Sequence, residues 1–137
     1  MNNNGQPREL SDLDLVSMAK KNGIKLDGIF AKDELGTRLD KGRGSFIINL
    51  DDSDGPGTHW VAWKNGVYFD SYGLPPPLAV PRPIEGYNGD AIQSLNSEGC
   101  GWFCLYFLSD RPMDIFTTDP LRLWHNDIRV LEQIRGP

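Results

Sequence analysis

Residues 58–72 read Thr-His-Trp-Val-Ala-Trp-Lys-Asn-Gly-Val-Tyr-Phe-Asp-Ser-Tyr, two aromatic-rich, β-prone runs on either side of Asn65-Gly66. An Asn-Gly pair between such runs is the strongest short-range signal for a two-residue hairpin, because both turn residues must take positive φ. The turn sets the register. Lys64 faces Val67, and outward from there Ala62 faces Phe69, Val61 faces Asp70 and His59 faces Tyr72. Alternation then puts His59, Val61, Asp70 and Tyr72 on one face of the hairpin. Trp60, Ala62, Val67 and Phe69 fall on the other, which is expected to pack on the core. His59 and Asp70 become diagonal neighbours about 7–8 Å apart at the backbone, a gap that an imidazole and a carboxylate can bridge.

On the amino-terminal side of the hairpin, residues 45–50 (Ser-Phe-Ile-Ile-Asn-Leu) read as a strand apolar enough to be central. Residues 28–35 look like a looped segment pinned by Ile29, Phe30 and Leu35, and 41–44 like a turn. The 51–57 stretch is polar and Gly-rich, and its aspartates read as a solvated loop. Ser11 followed by Asp14 is a capping box, with Leu10 and Leu15 placed as a hydrophobic staple. The helix it opens should run through Val16, Met18 and Ala19 and stop at Asn22-Gly23. Residues 1–9 read as a disordered polar tail and 10–137 as a single domain.

On the carboxyl-terminal side, residues 74–83 hold five prolines, which excludes a helix or a central strand. Residues 87–93 leave room for a short last strand. Residues 101–109 are an almost wholly apolar helix that should be buried on most sides. Asp119-Pro120 has the form of an N-cap followed by a first-turn proline. Behind it, Leu121, Trp124, Ile128, Leu131 and Ile134 recur at helical spacing as a core-facing stripe, with His125 solvated among polar neighbours. These elements predict an α+β domain, a small antiparallel-dominated sheet packed against helices.

Composition bounds the function. At 137 residues and 39% hydrophobic, the chain can bury one core without disulfides or a structural metal. A net charge of −5 argues against a protein built to coat nucleic acid. No apolar run approaches the roughly 20 residues of a membrane span, and no secretory signal is visible, so an intracellular setting is expected. The two cysteines, Cys100 and Cys104, form no extracellular disulfide framework. With His59 and Asp70 they also lack the paired short-spaced ligands of a zinc site. Neither a metal nor another cofactor is expected.

Cys100 follows Ser97-Glu98-Gly99 and opens the apolar helix. Its sulfur would lie where backbone N–H groups are unpaired and the helix dipole is positive, surroundings that favour a thiolate. Gly99 and Gly101 on either side would let a substrate backbone approach closely. Cys104, one turn deeper among Trp102, Phe103, Leu105 and Phe107, has the surroundings of an inert core thiol. A histidine oriented by a carboxylate, with a cysteine downstream, is the composition of a nucleophile–base–acid triad.

Four stretches together carry a family resemblance. Gly57-Thr58-His59-Trp60-Val61-Ala62, Tyr68-Phe69-Asp70-Ser71-Tyr72-Gly73, Gln93 and Cys100-Gly101-Trp102-Phe103-Cys104 resemble the adenovirus maturation protease (adenain-like). The order His, Asp, Gln, Cys is shared with the wider clan of proteases that deconjugate SUMO. The short versions carried by virophages and Maverick/Polinton-type elements are more similar still. The resemblance implies a papain-like thiol protease core in which His59 is the general base, Asp70 orients it and Cys100 attacks the scissile carbonyl. It implies that Gln93 donates to the oxyanion with the Cys100 backbone N–H, and that Trp60 borders this hole or the substrate groove. The indoles of Trp60, Trp63 and Trp102 would then narrow the groove to small substrate residues.

The implied function is a cysteine endopeptidase that processes viral capsid precursor proteins during virion maturation, in the virion and the host cell interior. Its partners would be a protein or peptide substrate and, as in the adenovirus enzyme, an activating peptide. Neither a membrane nor nucleic acid is expected, and the DNA requirement of the adenovirus enzyme does not carry over to an acidic chain. Two alternatives stay open: an isopeptidase that removes ubiquitin or a SUMO-like modifier, and a catalytically silent protease-like binding module.

Overall fold

Asn65 and Gly66 both hold positive φ, 49° and 89°, so the turn takes the mirror-image form that matches strand twist. The ladder beside it pairs Lys64 with Val67, Trp63 with Tyr68 and Ala62 with Phe69, the expected register. The computed structural model describes residues 5–35, 43–51, 59–78, 80 and 84–137. Outside the described residues lie 1–4 of the tail, 41–42 of the expected turn, 52–57 of the acidic loop, Thr58, and 79 and 81–83 of the proline-rich stretch.

In chain order the elements are α1 (Asp12–Lys21), β1 (Gly28–Ala31), β2 (Ser45–Asn49), β3 (Trp60–Lys64), β4 (Val67–Phe69), β5 (Gly86–Tyr87), α2 (Cys100–Leu108) and α3 (Leu123–Gln133). The five strands form one sheet in the order β1-β2-β3-β4-β5. The expected antiparallel dominance is corrected to a mixed sheet: the two inner pairings are antiparallel, whereas β1 and β5 each join it in parallel. Parallel neighbours need a long crossover rather than a tight turn. Residues 32–44 and the proline-rich stretch within 70–85 are the connections long enough to supply it.

The Ser11/Asp14 capping box is present in full, and Asn22 caps the end of α1. The helices pack on one face of the sheet around Ile47, Trp60, Ala62 and Phe69. The opposite face is also buried, by Leu35, Ile48, Val61, Trp63, Tyr68 and Val80. The hairpin therefore does not divide into a functional face and a core face. Both of its faces are core, and the site is left to its open end.

The tail ends sooner than residue 9. Pro7 and Leu10 are buried, the Trp102 indole N–H donates to the Arg8 carbonyl at 2.9 Å, and that of Trp60 to the Leu10 carbonyl at 2.9 Å. A buried indole N–H needs an acceptor, and the segment 7–10 supplies two.

The last helix departs from expectation in its start and its face. Asp119 caps a separate turn through Leu121 and Arg122, and α3 begins only at Leu123. Leu121, Trp124 and Ile128 are exposed, as is His125. The buried positions are Asn126, Asp127 and Val130, with Ile134 just beyond the helix. Two polar side chains at the core face answer polar groups in the segment below them, a demand that hydrophobic spacing does not register. Among the described residues no helix is long and apolar enough to cross a membrane.

Candidate active site

His59 stands one residue before β3 and Asp70 one residue after β4. At these positions the ladder has ended, and side chains are free to turn across the end of the sheet toward α2. The His59 Nε2 meets Asp70 Oδ1 at 2.9 Å. The same oxygen accepts the Tyr72 backbone N–H at 2.8 Å. Asn88, from the segment after β5, accepts the Asp70 N–H through Oδ1 at 2.9 Å and donates to the Asp70 carbonyl through Nδ2 at 2.6 Å. Asp70 is 1% exposed, so this bonding aims a buried carboxylate at the imidazole. Tyr72 stacks on the other side of the ring, with centroids 5.0 Å apart.

Because Asp70 occupies Nε2, the nitrogen left for a nucleophile is Nδ1. Cys100 is the first residue of α2 and lies close enough to His59 to help raise its pKa. Its Sγ also accepts the Trp60 backbone N–H at 3.4 Å. Side-chain motifs give no signal for this main-chain donor. Cys104 is fully buried, and burial pushes its thiol well above the usual range.

Burial of the His59 ring by itself favours the neutral imidazole. The hydrogen bonds and charge interactions with Asp70 and Cys100 outweigh it, and the pKa is pushed up to about 9. An NMR titration of the ring should therefore follow an imidazolium that persists to about pH 9, with a lower midpoint in Asp70→Asn. The folded value lies above the unfolded one of roughly 6.5. The stability contribution is therefore complete below that pH and is lost as pH rises through about 9. An unshifted midpoint in the unsubstituted protein would separate His59 from both partners.

Gln93 is 1% exposed and fully engaged. Its Oε1 accepts the Ser71 hydroxyl at 2.5 Å, and its Nε2 donates to the Ser97 carbonyl at 2.8 Å and to the Tyr72 hydroxyl at 3.3 Å. The Ile92 and Gln93 N–H groups both bond the Ser71 carbonyl. Gly73 makes this approach possible. Its φ is 74°, and a Cβ there would lie 2.6 Å from the Asp90 carbonyl carbon. The turn after β4 and the segment before α2 are thus joined, which brings Asp70 and Gln93 to the same end of the sheet as Cys100.

The three expected substrate-contacting residues have other occupants. A Cβ at Gly99 would meet Ser97 and Pro7, and one at Gly101 would meet Leu10 and Leu15. The room these glycines leave is filled by side chains of the amino-terminal segment and of α1. Trp60 is spent on the Leu10 carbonyl. Trp60, Trp63 and Trp102 are all buried, so their bulk fills core and does not wall an open groove. No family model matches the chain, and no curated protein matches its sequence.

Proposed function

We propose that this chain is a thiol protease of the adenovirus-protease type, with a papain-like arrangement of α2 against the sheet. The supporting observation is the convergence of Cys100, His59 and Asp70 at one end of β3 and β4. In this reading the Cys100 thiolate attacks the scissile carbonyl carbon and a C–S bond forms. The His59 imidazolium gives its Nδ1 proton to the leaving amine as the C–N bond breaks. Water, deprotonated by His59, then attacks the thioester, the C–S bond breaks and the thiolate–imidazolium pair is restored. Asp70 holds the ring and stabilises its positive form throughout.

The oxyanion role of Gln93 follows from the same reading. Of its two amide bonds, the 3.3 Å contact to Tyr72 is the longer and is the one an oxyanion would displace. Gln93→Ala should lower kcat by roughly 10²–10³, the usual cost of one lost oxyanion donor, with little change in KM. A kcat within about threefold of the unsubstituted enzyme would remove Gln93 from the hole.

The proposed task is cleavage of viral or mobile-element capsid precursors during particle maturation inside the host cell. The test is incubation with capsid precursor and, in parallel, with ubiquitin and SUMO conjugates. Mass spectrometry maps the cuts. Precursor cleavage that is lost in Cys100→Ala supports the reading. Cleavage of conjugates alone makes the chain an isopeptidase, and cleavage of neither makes it a binding module.

A further inference from the structure

The mechanism above leaves Asp127 unused, although it is fully buried on α3. Its Oδ2 takes the Ser94 hydroxyl. Its Oδ1 has no hydrogen-bond partner among the described residues. Burial holds the carboxyl above the usual range against the opposing pull of the Ser94 and Ser97 hydroxyls. A buried carboxyl with an orphan oxygen costs the fold free energy, so stability alone gives no account of it.

Its neighbours suggest what it does. Asn126, the preceding residue, is 2% exposed and donates to the Ile92 carbonyl at 2.8 Å. The same side chain is itself fixed by the Thr117 backbone, N–H and carbonyl both. Two consecutive α3 side chains therefore grip the residues immediately before and after Gln93. Beyond Ser94 the grip passes to the nucleophile. The Ser97 N–H bonds the Ser94 carbonyl at 3.1 Å. The Ser97 carbonyl receives the Gln93 amide, and the Ser97 hydroxyl accepts the Gly99 N–H at 3.0 Å, one residue before Cys100.

We infer that Asp127 is a positioning residue for the oxyanion hole, acting through Ser94 to hold the Gln93 amide and the 97–100 turn in register with Cys100. This inference rests on the protease reading, in which Gln93 meets the oxyanion. Small displacements of a positioned group are expensive in rate, about 10² for roughly 1 Å. Thiol alkylation, by contrast, develops no oxyanion and needs no such hole.

The experiment compares Asp127→Ala, Asp127→Asn, Ser94→Ala and the Asp127→Ala/Ser94→Ala double variant. Each is read by peptide hydrolysis, by the rate of Cys100 alkylation with iodoacetamide, and by the NMR resonances of the Gln93 side-chain amide, assigned with Gln93→Ala. Asp127→Ala and Ser94→Ala should each lower kcat about 10- to 100-fold, with KM and alkylation within about twofold and the Gln93 amide resonances displaced. The double variant should be no worse than the poorer single one, because the two residues act as a unit. Asp127→Asn keeps an acceptor for Ser94 and should restore most of the rate.

Unchanged kcat, or undisplaced amide resonances, would overturn the inference. So would alkylation falling in step with kcat, since the damage would then lie in the thiolate. If Asp127→Ala does not fold, Ser94→Ala, at a half-buried position, decides. If the unsubstituted protein hydrolyses no substrate, the protease reading falls by itself, and the amide resonances alone decide whether Asp127 positions Gln93.

Discussion

Cys100→Ala should leave a folded protein with no measurable cleavage, whereas Cys104→Ala should keep most of its activity and lose roughly 1 kcal/mol of stability as a packing defect. Both thiols are buried on one short helix. Position on it separates them. Cys100 occupies the first helical residue, within reach of His59 and of the Trp60 N–H. Cys104 lies past the first turn, where the dipole effect has faded, and its surroundings push the thiol upward. An i, i+4 pair in a regular helix has near-parallel side chains, which does not suit a disulfide between them. Iodoacetamide at pH ~6.5 should accordingly modify Cys100 first and stop turnover, because burial holds the Cys104 thiol protonated. Peptide mapping with circular dichroism on both variants checks this. A dead but folded Cys104→Ala beside an active Cys100→Ala would remove the nucleophile assignment and the oxyanion geometry built on it.

His59→Ala should abolish turnover, and Asp70→Asn should leave a residue of it. The imidazole carries both the thiolate partnership and the proton for the leaving amine, so no other group replaces it. Asparagine at 70 can still accept through its carbonyl and hold the ring. It cannot stabilise the imidazolium, and the ring's proton affinity should fall with it. The structure adds a reason why geometry outlasts charge here. The Asp70 backbone is held by Asn88 and its Oδ1 by the Tyr72 N–H, contacts that an amide carbonyl preserves. Steady-state kinetics across pH 5–10, about the range that brackets the ordinary and raised imidazole values, checks this. Equal and small losses from the two substitutions would dissolve the triad.

Much of this arrangement is legible in local chemistry. Asn65-Gly66 sets the hairpin register because few residues other than Asn and Gly accept paired positive φ. Ser11 and Asp14 set the start of α1 because both partners of the capping box lie within one turn. The proximity of His59 and Asp70 follows from that register, and the exposure of Cys100 to a helix amino terminus follows from where the apolar run begins. Each of these depends on residues close in sequence, or on one turn.

Long-range packing decides the rest. Of the expected stripe, Leu121, Trp124 and Ile128 face solvent while Leu131 and Ile134 pack on the core, because Ile92 and Thr117 present backbone polar groups to α3 and Asn126 answers them. Gly99 and Gly101 leave room for the chain's own Pro7 and Leu10, not for substrate, because two buried indoles draw the amino-terminal segment across α2. Asn88 reaches Asp70 only because β5 joins the sheet in parallel beside β4. Hydrophobic spacing records how often a helix can bury a side chain, but which face is buried depends on the polar groups of segments distant in the chain. Those groups come together only when the sheet and helices close, and an unpaired buried polar atom costs enough free energy to turn a helix toward them.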